Sequence, residues 1–468
     1  MSEHTEPRVE ARRGAPLVLA AMCLGLMLSM FNSTQVNVTL PAIADSLHAS
    51  PTELQWVSAV YTLCYAATLL PGGALGNRLG RRASFLVGVG VFVVGSLGCA
   101  LAPTLPLLLA ARVAQAVGAA IMLPQTLAIL VNEYDDPAAR SRAVGIWAGG
   151  ASLGLAAGPI LGGVIVSVGS WRWGFVLSAI LGVGALALAY AAVPAARHGR
   201  ASGAPSSDPA GTGLSVVALV ALAFGLIEAG NLGWDAPAII AAFVVAAMAV
   251  AGFLAVEHLL GTRGRHPIMP LQIWKSRRLV AANLAGLGYF FAFFGILYFF
   301  SIDLQQQRGF TPLATGIAFL PMMIVMAFLG PVAGRLSARF GSARILGGGL
   351  LVAAAGCALL ALLGPDASAL DTEWRLLVFG IGAGFMSSPM SNLAVSSVER
   401  QHSSTASAVH NMCRQIGSTL GVAALGAVIG SRPGFSAGLA VAMLVTAVLL
   451  AVIGIGVWAL TGMRPSRR

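Results

Sequence analysis

Apolar residues fill this chain in unbroken stretches, parted by short polar turns. The stretches show no strict alternation of apolar and polar positions, so they predict helices and not strands. Each runs for about 20 residues, enough to cross ~30 Å of hydrocarbon. In that medium every backbone N–H and C=O must be satisfied within the protein, and a helix does this alone. Fourteen spans are expected between residues 16 and 462, an even number that puts both chain ends on one side. The fold class this implies is an all-α integral membrane protein.

Two longer polar interruptions and one repeat organise the spans. Residues 194–211 (PAARHGRASGAPSSDPAG) are rich in Pro, Gly and Ser and carry no apolar period; they read as a flexible connector. Residues 259–277 mix Arg263, Arg265 and Lys275 with Ile268, Met269, Leu271, Ile273 and Trp274. That stretch reads either as an amphipathic helix on the lipid surface or as a solvated loop. The loop after the second span, 72–82, is Gly-Gly-Ala-Leu-Gly-Asn-Arg-Leu-Gly-Arg-Arg, and 334–341, Gly-Arg-Leu-Ser-Ala-Arg-Phe-Gly, echoes it late in the chain. This is the trace of an internal repeat. The expected organisation is a tail (1–15), a six-helix bundle (16–193), a linker (194–211), two inserted helices (212–258), a connector (259–277), a second six-helix bundle (278–462) and a tail (463–468).

Composition agrees with burial in lipid. Hydrophobic residues make up 57% of the chain and charged residues only 10%, with a mean hydropathy of +0.84. A soluble domain of this size needs a far more polar surface. The net charge of +11 would suggest nucleic acid in a soluble protein. Here 22 of the 28 Lys and Arg residues fall in the tails and the loops on the same side as the tails. That bias is topological and places both termini in the cytoplasm, in the cell inner (plasma) membrane; no nucleic-acid partner is expected. Cys23, Cys64, Cys99, Cys357 and Cys413 all lie in apolar runs, without disulfide or metal spacing. No phosphate-binding loop or nucleophile elbow is present, so neither an enzyme nor a cofactor is expected.

Few polar side chains lie inside the spans, and those few carry the candidate chemistry. On the first span Asn32, Gln35 and Thr39 share one helical face. On the fourth, Arg112 and Gln115 lie one turn apart. On the thirteenth, His410, Asn411 and Arg414 do the same. A guanidinium keeps its charge and is expensive in hydrocarbon, so Arg112 and Arg414 need partners or a wet cavity; as internal cations they suit an anionic or phenolic substrate. Asn392 is a further polar candidate on the twelfth span. The ninth span is aromatic, and Tyr289, Phe293 and Tyr298 are expected to line a cavity and stack on a planar solute. Titratable groups are scarce: Glu228 and Asp303 near span ends, and His410 within one. On the fifth span Gly154, Gly158 and Gly162 recur every fourth residue and make a smooth face, and Pro159 kinks it.

These segments together resemble the major facilitator superfamily, over about residues 16–460. The 72–82 loop is similar to the family's loop signature, with Gly73, Gly76, Arg78, Gly80, Arg81 and Arg82 in place. Asn77 stands where the family has an acidic residue that helps latch one state. Arg112–Gly118 resembles the family's Arg-x-x-Gln-Gly-x-Gly motif, with Ala116 for the first Gly. Gly154 to Gly163 resembles the antiporter motif of exporter branches, and Asn411–Gly417 and the Trp171–Phe175 entry are also branch-like. The six-plus-two-plus-six arrangement is that of the fourteen-span drug:proton antiporters. The resemblance implies two lobes that rock about a central site and export multidrug or antibiotic-type solutes, with protons as the second partner, lipid around them and a monomer as the working unit. Residues 31–41 resemble the branch motif except that Asn32 replaces the Asp usually assigned to proton coupling. An amide does not titrate, which leaves Asp303, Glu228 and His410 as coupling candidates. It also leaves open a facilitator without proton coupling; a lipid-handling or sensor protein is the third class.

Overall fold

The computed structural model describes residues 15–134, 136–194, 208–263, 269, 271–364, 367–399 and 403–462. The expected terminal tails, most of the 194–211 linker and residues 264–268 and 270 of the connector lie outside these, as does the side chain of Asn77. Among the described residues the regular structure is helical throughout. The helices are α1 (Ala15–Leu47), α2 (Pro51–Leu79), α3 (Arg81–Leu101), α4 (Leu105–Glu133), α5 (Pro137–Val168), α6 (Arg172–Ala192), α7 (Pro209–Leu232), α8 (Pro237–Thr262), α9 (Arg277–Ile302), α10 (Pro312–Ala318), α11 (Leu320–Phe340), α12 (Ser342–Ala361), α13 (Ala369–Ser396), α14 (Ser403–Gly430) and α15 (Phe435–Thr461). Thirteen spans, one of them α10 and α11 together, are long and apolar enough to cross a membrane; α2, with 29 residues, is the fourteenth long helix. The tenth span breaks at Phe319 because Pro321 opens α11 and supplies no backbone donor there. Val94, Ile180, Met248, Phe328 and Val448 face outward and exposed, as lipid-facing positions should. Trp173, Trp234 and Trp374 are exposed at the end opposite the chain termini, where an interfacial aromatic belt belongs.

The packing repeats itself. In the first lobe α1 packs on α5 and α6, α2 on α4, and α3 on α4 and α6. In the second, α9 packs on α14 and α15, α11 on α13, and α12 on α13 and α15. The turn chemistry repeats too. Gly80 ends α2 and begins α3 at φ +87°, and Gly341 does the same between α11 and α12 at φ +88°. That left-handed backbone lets one residue reverse the chain and favours glycine. Helices α7 and α8 pair with each other, and α7 lies against both α2 and α14. The fold is therefore two six-helix bundles with two inserted helices.

Small residues set the helix spacing inside each lobe. A β-carbon on Gly88 would come within 2.6 Å of Met122 N, and one on Gly118 would overlap Phe92 N. In the second lobe Gly356 and Gly382 meet the backbone at Phe379 and Ala353 in the same way. Lipid tails are as apolar as Leu, so such close backbone contact, and not hydrophobicity, holds helices together here. In the described part of the connector, Leu271–Lys275 is a short 3₁₀ turn, with Met269 and Ile273 buried in the core.

The contacts that join the lobes gather in the half away from the termini. Gly163 meets the carbonyl of Pro312, and Gly316 meets that of Pro159. Thr62 Oγ1 and Thr419 Oγ1 are hydrogen-bonded at 2.7 Å, Gln55 fills the space over Gly426, and Gln305 Nε2 donates to Val38 O at 3.0 Å. Gly118→Val should lower the thermal midpoint of the purified protein, because overpacking costs about 1–3 kcal/mol. Gly90→Ala, whose β-carbon would meet nothing within 4 Å, should leave it unchanged or raise it.

Candidate functional site

Arg112 is the largest fully buried side chain and the hub of the first lobe. Its Nη1 donates to Asn32 Oδ1 at 2.6 Å and to Gln115 Oε1 at 3.2 Å, and its Nε donates to Val57 O at 3.2 Å. The guanidinium lies over the ring of Tyr61, 4.5 Å from its centroid. Tyr61 in turn pairs its hydroxyl with Ser29 at 3.1 Å, and Gln115 donates to Ser96 Oγ at 2.8 Å. Every partner is neutral. On insertion scales a central Arg costs about 2.5–3.5 kcal/mol, and charge-assisted hydrogen bonds to amide and carbonyl oxygens offset part of it.

A cleft borders this hub and is built from both lobes. Ser33, Asn37, Ser58, Tyr61, Thr62 and Arg112 line one wall, and Phe294, Ser418 and Val422 the other. Its free space is small, about 10 Å³, roughly the room that one water molecule needs. Asn37 Oδ1 and Ser58 Oγ are buried there without a hydrogen-bond partner. Arg414 lies one turn, about 5.4 Å, along α14 from Ser418. Its Nη1 donates to Asn411 Oδ1 at 3.1 Å and its guanidinium covers Phe290 at 4.2 Å. Beside it His410 Nδ1 pairs with Asn283 at 3.2 Å, and both side chains pack against Gly286.

Some expected members of the site sit elsewhere. Gln35 turns away from the cleft and presses on Gly174 of α6, with neither amide atom bonded. The polar face of α1 that meets the second lobe is instead Ser33 and Asn37, one residue round from the Asn32–Gln35 stripe. The reason is packing: Gly154, Gly158 and Gly162 of α5 lie directly against α1 at Met27, Thr34 and Gln35, and that contact fixes the rotation of α1. Thr34 Oγ1 donates to Leu155 O across the same contact, at 3.1 Å. Gly163 and Pro159, on the other face of α5, meet α10. Of the aromatics, Phe293 and Tyr298 are buried in the core, and Phe290 lies under the Arg414 guanidinium while Phe294 lines the cleft. Tyr289 packs edge-on to Phe290 at 5.1 Å. Asn392 is exposed, one turn from the end of α13, and no hydrogen bond joins it to the cluster among the described residues.

The titratable candidates are spread apart. Asp303 is buried in an ion pair with Arg308 at 2.6 Å, in the π-turn that ends α9. Glu228 accepts from Trp56 Nε1 at 2.8 Å and from Asn231 at 3.4 Å, tying α7 to α2. Of the three, His410 lies beside Arg414, one turn from the cleft residue Ser418. In the basic loop Gly73 rests on Pro124 and Gly76 on Gln125 of α4. Arg81 donates to Ala128 O at 2.8 Å and Arg82 to Tyr190 O at 2.7 Å, both helix-end carbonyls. Arg78 is exposed.

A cation-bearing polar cleft between two repeated lobes of membrane-length helices defines a membrane transporter, not an enzyme. The chain belongs to the Major Facilitator Superfamily, whose profile matches residues 22–210 and 187–422. It is 35% identical over 463 residues to a methylenomycin A resistance protein of Streptomyces coelicolor, covering 98% of this chain and 95% of the relative. It is 32% identical to a tetracenomycin C resistance and export protein of Streptomyces glaucescens, over 90% of this chain and 77% of that one. A puromycin resistance protein of Streptomyces alboniger is also 32% identical, over 89% of this chain and 81% of its own. Among solved structures, a POT family transporter in complex with a thioalcohol-conjugated peptide superposes with a TM-score of 0.73 at 14% identity, covering 96% of each chain. The chain is thus a membrane transporter with the major facilitator fold.

Asn32→Leu removes the acceptor from Arg112 Nη1 and should destabilise the protein by about 1–3 kcal/mol. Asn32→Asp supplies a countercharge at the same position and should raise the thermal midpoint in detergent. Asn392→Leu, at an exposed position, should stay within about 0.5 kcal/mol of the parent.

Proposed function

We propose that this protein is a secondary active exporter that carries a small amphipathic, antibiotic-type solute out of the cell by alternating access. The observation that carries the reading is the cleft: hydroxyls, an amide and a cation on one wall face Phe294, Val422 and the single hydroxyl of Ser418 on the other, a mix of polar and apolar groups that suits an amphipathic solute. The wall residues belong to different lobes, so any rocking of one lobe against the other remakes the site. The glycine contacts of α5 with α10 close the end away from the termini; parting them, and closing the terminal end, would expose the cleft to the other side. With the termini in the cytoplasm, as the basic loops imply, the closed end is the external one. The resistance and export names of the relatives support the direction of transport. The working unit is a monomer, divided 16–193, 212–258 and 278–462, with lipid against its outer face.

Proton antiport is the coupling that the fourteen-span branch implies. Asn32 removes the usual carrier, Asp303 is held by Arg308, and Glu228 is engaged by Trp56. His410 is the coupling group that remains near the cleft. The absence of an acid beside Arg112 favours the second reading, a facilitator without proton coupling.

Reconstitution into liposomes with a panel of lipophilic dyes, with and without an imposed pH gradient, separates these. Export by the parent protein and background flux in Gly158→Val, whose side chain would overlap Thr34, are the expected results. Proton antiport predicts that collapsing the gradient stops uphill export, and facilitation predicts no change. Absence of flux for every dye would contradict the exporter reading.

A further inference from the structure

The two cations of the seam share a feature that transport of a neutral solute leaves unexplained. Arg112 and Arg414 belong to different lobes, and neither has a carboxylate partner among the described residues. Their hydrogen-bond partners are amides and a backbone carbonyl, and their ring partners are Tyr61 and Phe290. Two positive charges therefore stand in the spanning region with no fixed negative charge to offset them. Buried cations without a counterion are costly, and the cleft is the place where one can enter.

The geometry between them is continuous. Arg112 covers Tyr61, and Tyr61 stacks on Tyr65 one turn further along α2, with centroids 6.3 Å apart and planes 5° from parallel. Tyr65 and Tyr289 lie within electrostatic range of Arg414. The opposite wall carries Phe294 and, one turn along, Phe290 beneath Arg414. A run of packed rings thus links one guanidinium to the other. Donors are available at both ends: no hydrogen bond engages Nη2 of Arg112, which borders the cleft, and Nε of Arg414 is buried without a partner. Next to it His410, 3% exposed, has an unpartnered Nε2.

We propose that Arg112 and Arg414 form an anion subsite that spans the two lobes, and that the transported solute is a planar organic anion bearing a carboxylate or phenolate. This deepens the exporter reading and rests on it. The anion supplies the missing countercharge, and its aromatic or unsaturated body lies on the Tyr61–Tyr65 and Phe290–Phe294 rings. Because the guanidinia come from different lobes, the anion also draws the lobes together once bound. Export of such a solute moves negative charge outward, so an inside-negative membrane potential favours it without a titrating acid at position 32.

The test uses the full-length protein in nanodiscs with two matched probes, 2-naphthoate and the uncharged 2-naphthamide, titrated calorimetrically. Naphthoate should bind at least about tenfold more tightly than naphthamide, as a desolvated charge pair does. Arg112→Gln and Arg414→Gln should erase that preference while leaving naphthamide affinity within about twofold, and Arg414→Lys should keep part of it. Equal binding of the two probes, no binding of naphthoate, or equal weakening of both probes in the Gln variants would overturn the proposal. The comparison of probes on the parent protein stands even where a variant does not fold. In liposomes, a parent protein that exports the cationic dye ethidium but neither binds nor moves naphthoate defeats the anion site and leaves the exporter reading intact. One that binds naphthoate yet moves no solute defeats the exporter reading alone.

Discussion

Glycine contact across the seam is the constraint on which the rest of the structure depends. Helix α5 is pressed on α1 by Gly154, Gly158 and Gly162 and on α10 by Gly163, with Gly316 answering from the other side. In hydrocarbon there is no hydrophobic force to hold two helices together, so contact rests on dispersion between closely fitted backbones and on a few hydrogen bonds. Such an interface is strong only while it fits. It leaves no large side chains to disentangle at the glycine contacts. The same residues that close one end of the molecule are therefore suited to reopen it.

The seam also governs where charge is tolerated. Arg112 is held by Asn32, Gln115, the Val57 carbonyl and the Tyr61 ring. Arg414 has a looser shell, with Asn411 and Phe290. The first lobe thus holds its cation with more hydrogen bonds than the second, and it is Arg112 that lines the cleft. The inserted helices add a third element. Helix α7 packs on α2 and α14 at once, and its polar anchors, Glu228 to Trp56 and Asn231 to Thr52, reach only α2. Its contact with α14 is apolar, at Ala423 and its neighbours.

Much of this was legible in the chain because membrane spans state themselves through length and continuity. The two Gly-terminated loops marked the repeat, and Gly80 and Gly341 do adopt matching left-handed turns. Arg112 was legible as a residue that had to find partners or a wet cavity; that Asn32 and Gln115 are its partners came from the structure. What the sequence did not carry is rotation. A helix hydrophobic on nearly every face does not announce which polar residue looks inward, so Gln35 was expected in the cleft where Ser33 and Asn37 stand. The same ambiguity put Phe293 and Tyr298 there in place of Phe290 and Phe294. Tyr61 and Tyr65, four apart on α2 and thus on one face, were a usable signal in hindsight, since each carries a polar tip that must find a partner. Asp303 and Arg308 lie five apart in the chain, but the π-turn that brings them together has no clear signature in residue type.

The claim that the two lobes must part for transport is tested most directly by tying them. Thr62 and Thr419 face each other across the seam with their hydroxyls 2.7 Å apart, close enough for a disulfide once both are cysteine. In a background with the five native cysteines replaced, Thr62→Cys with Thr419→Cys should export dye normally under reducing conditions, stop when oxidised, and recover on reduction, while each single variant is indifferent to oxidant. Full export by the oxidised, cross-linked protein would contradict the account.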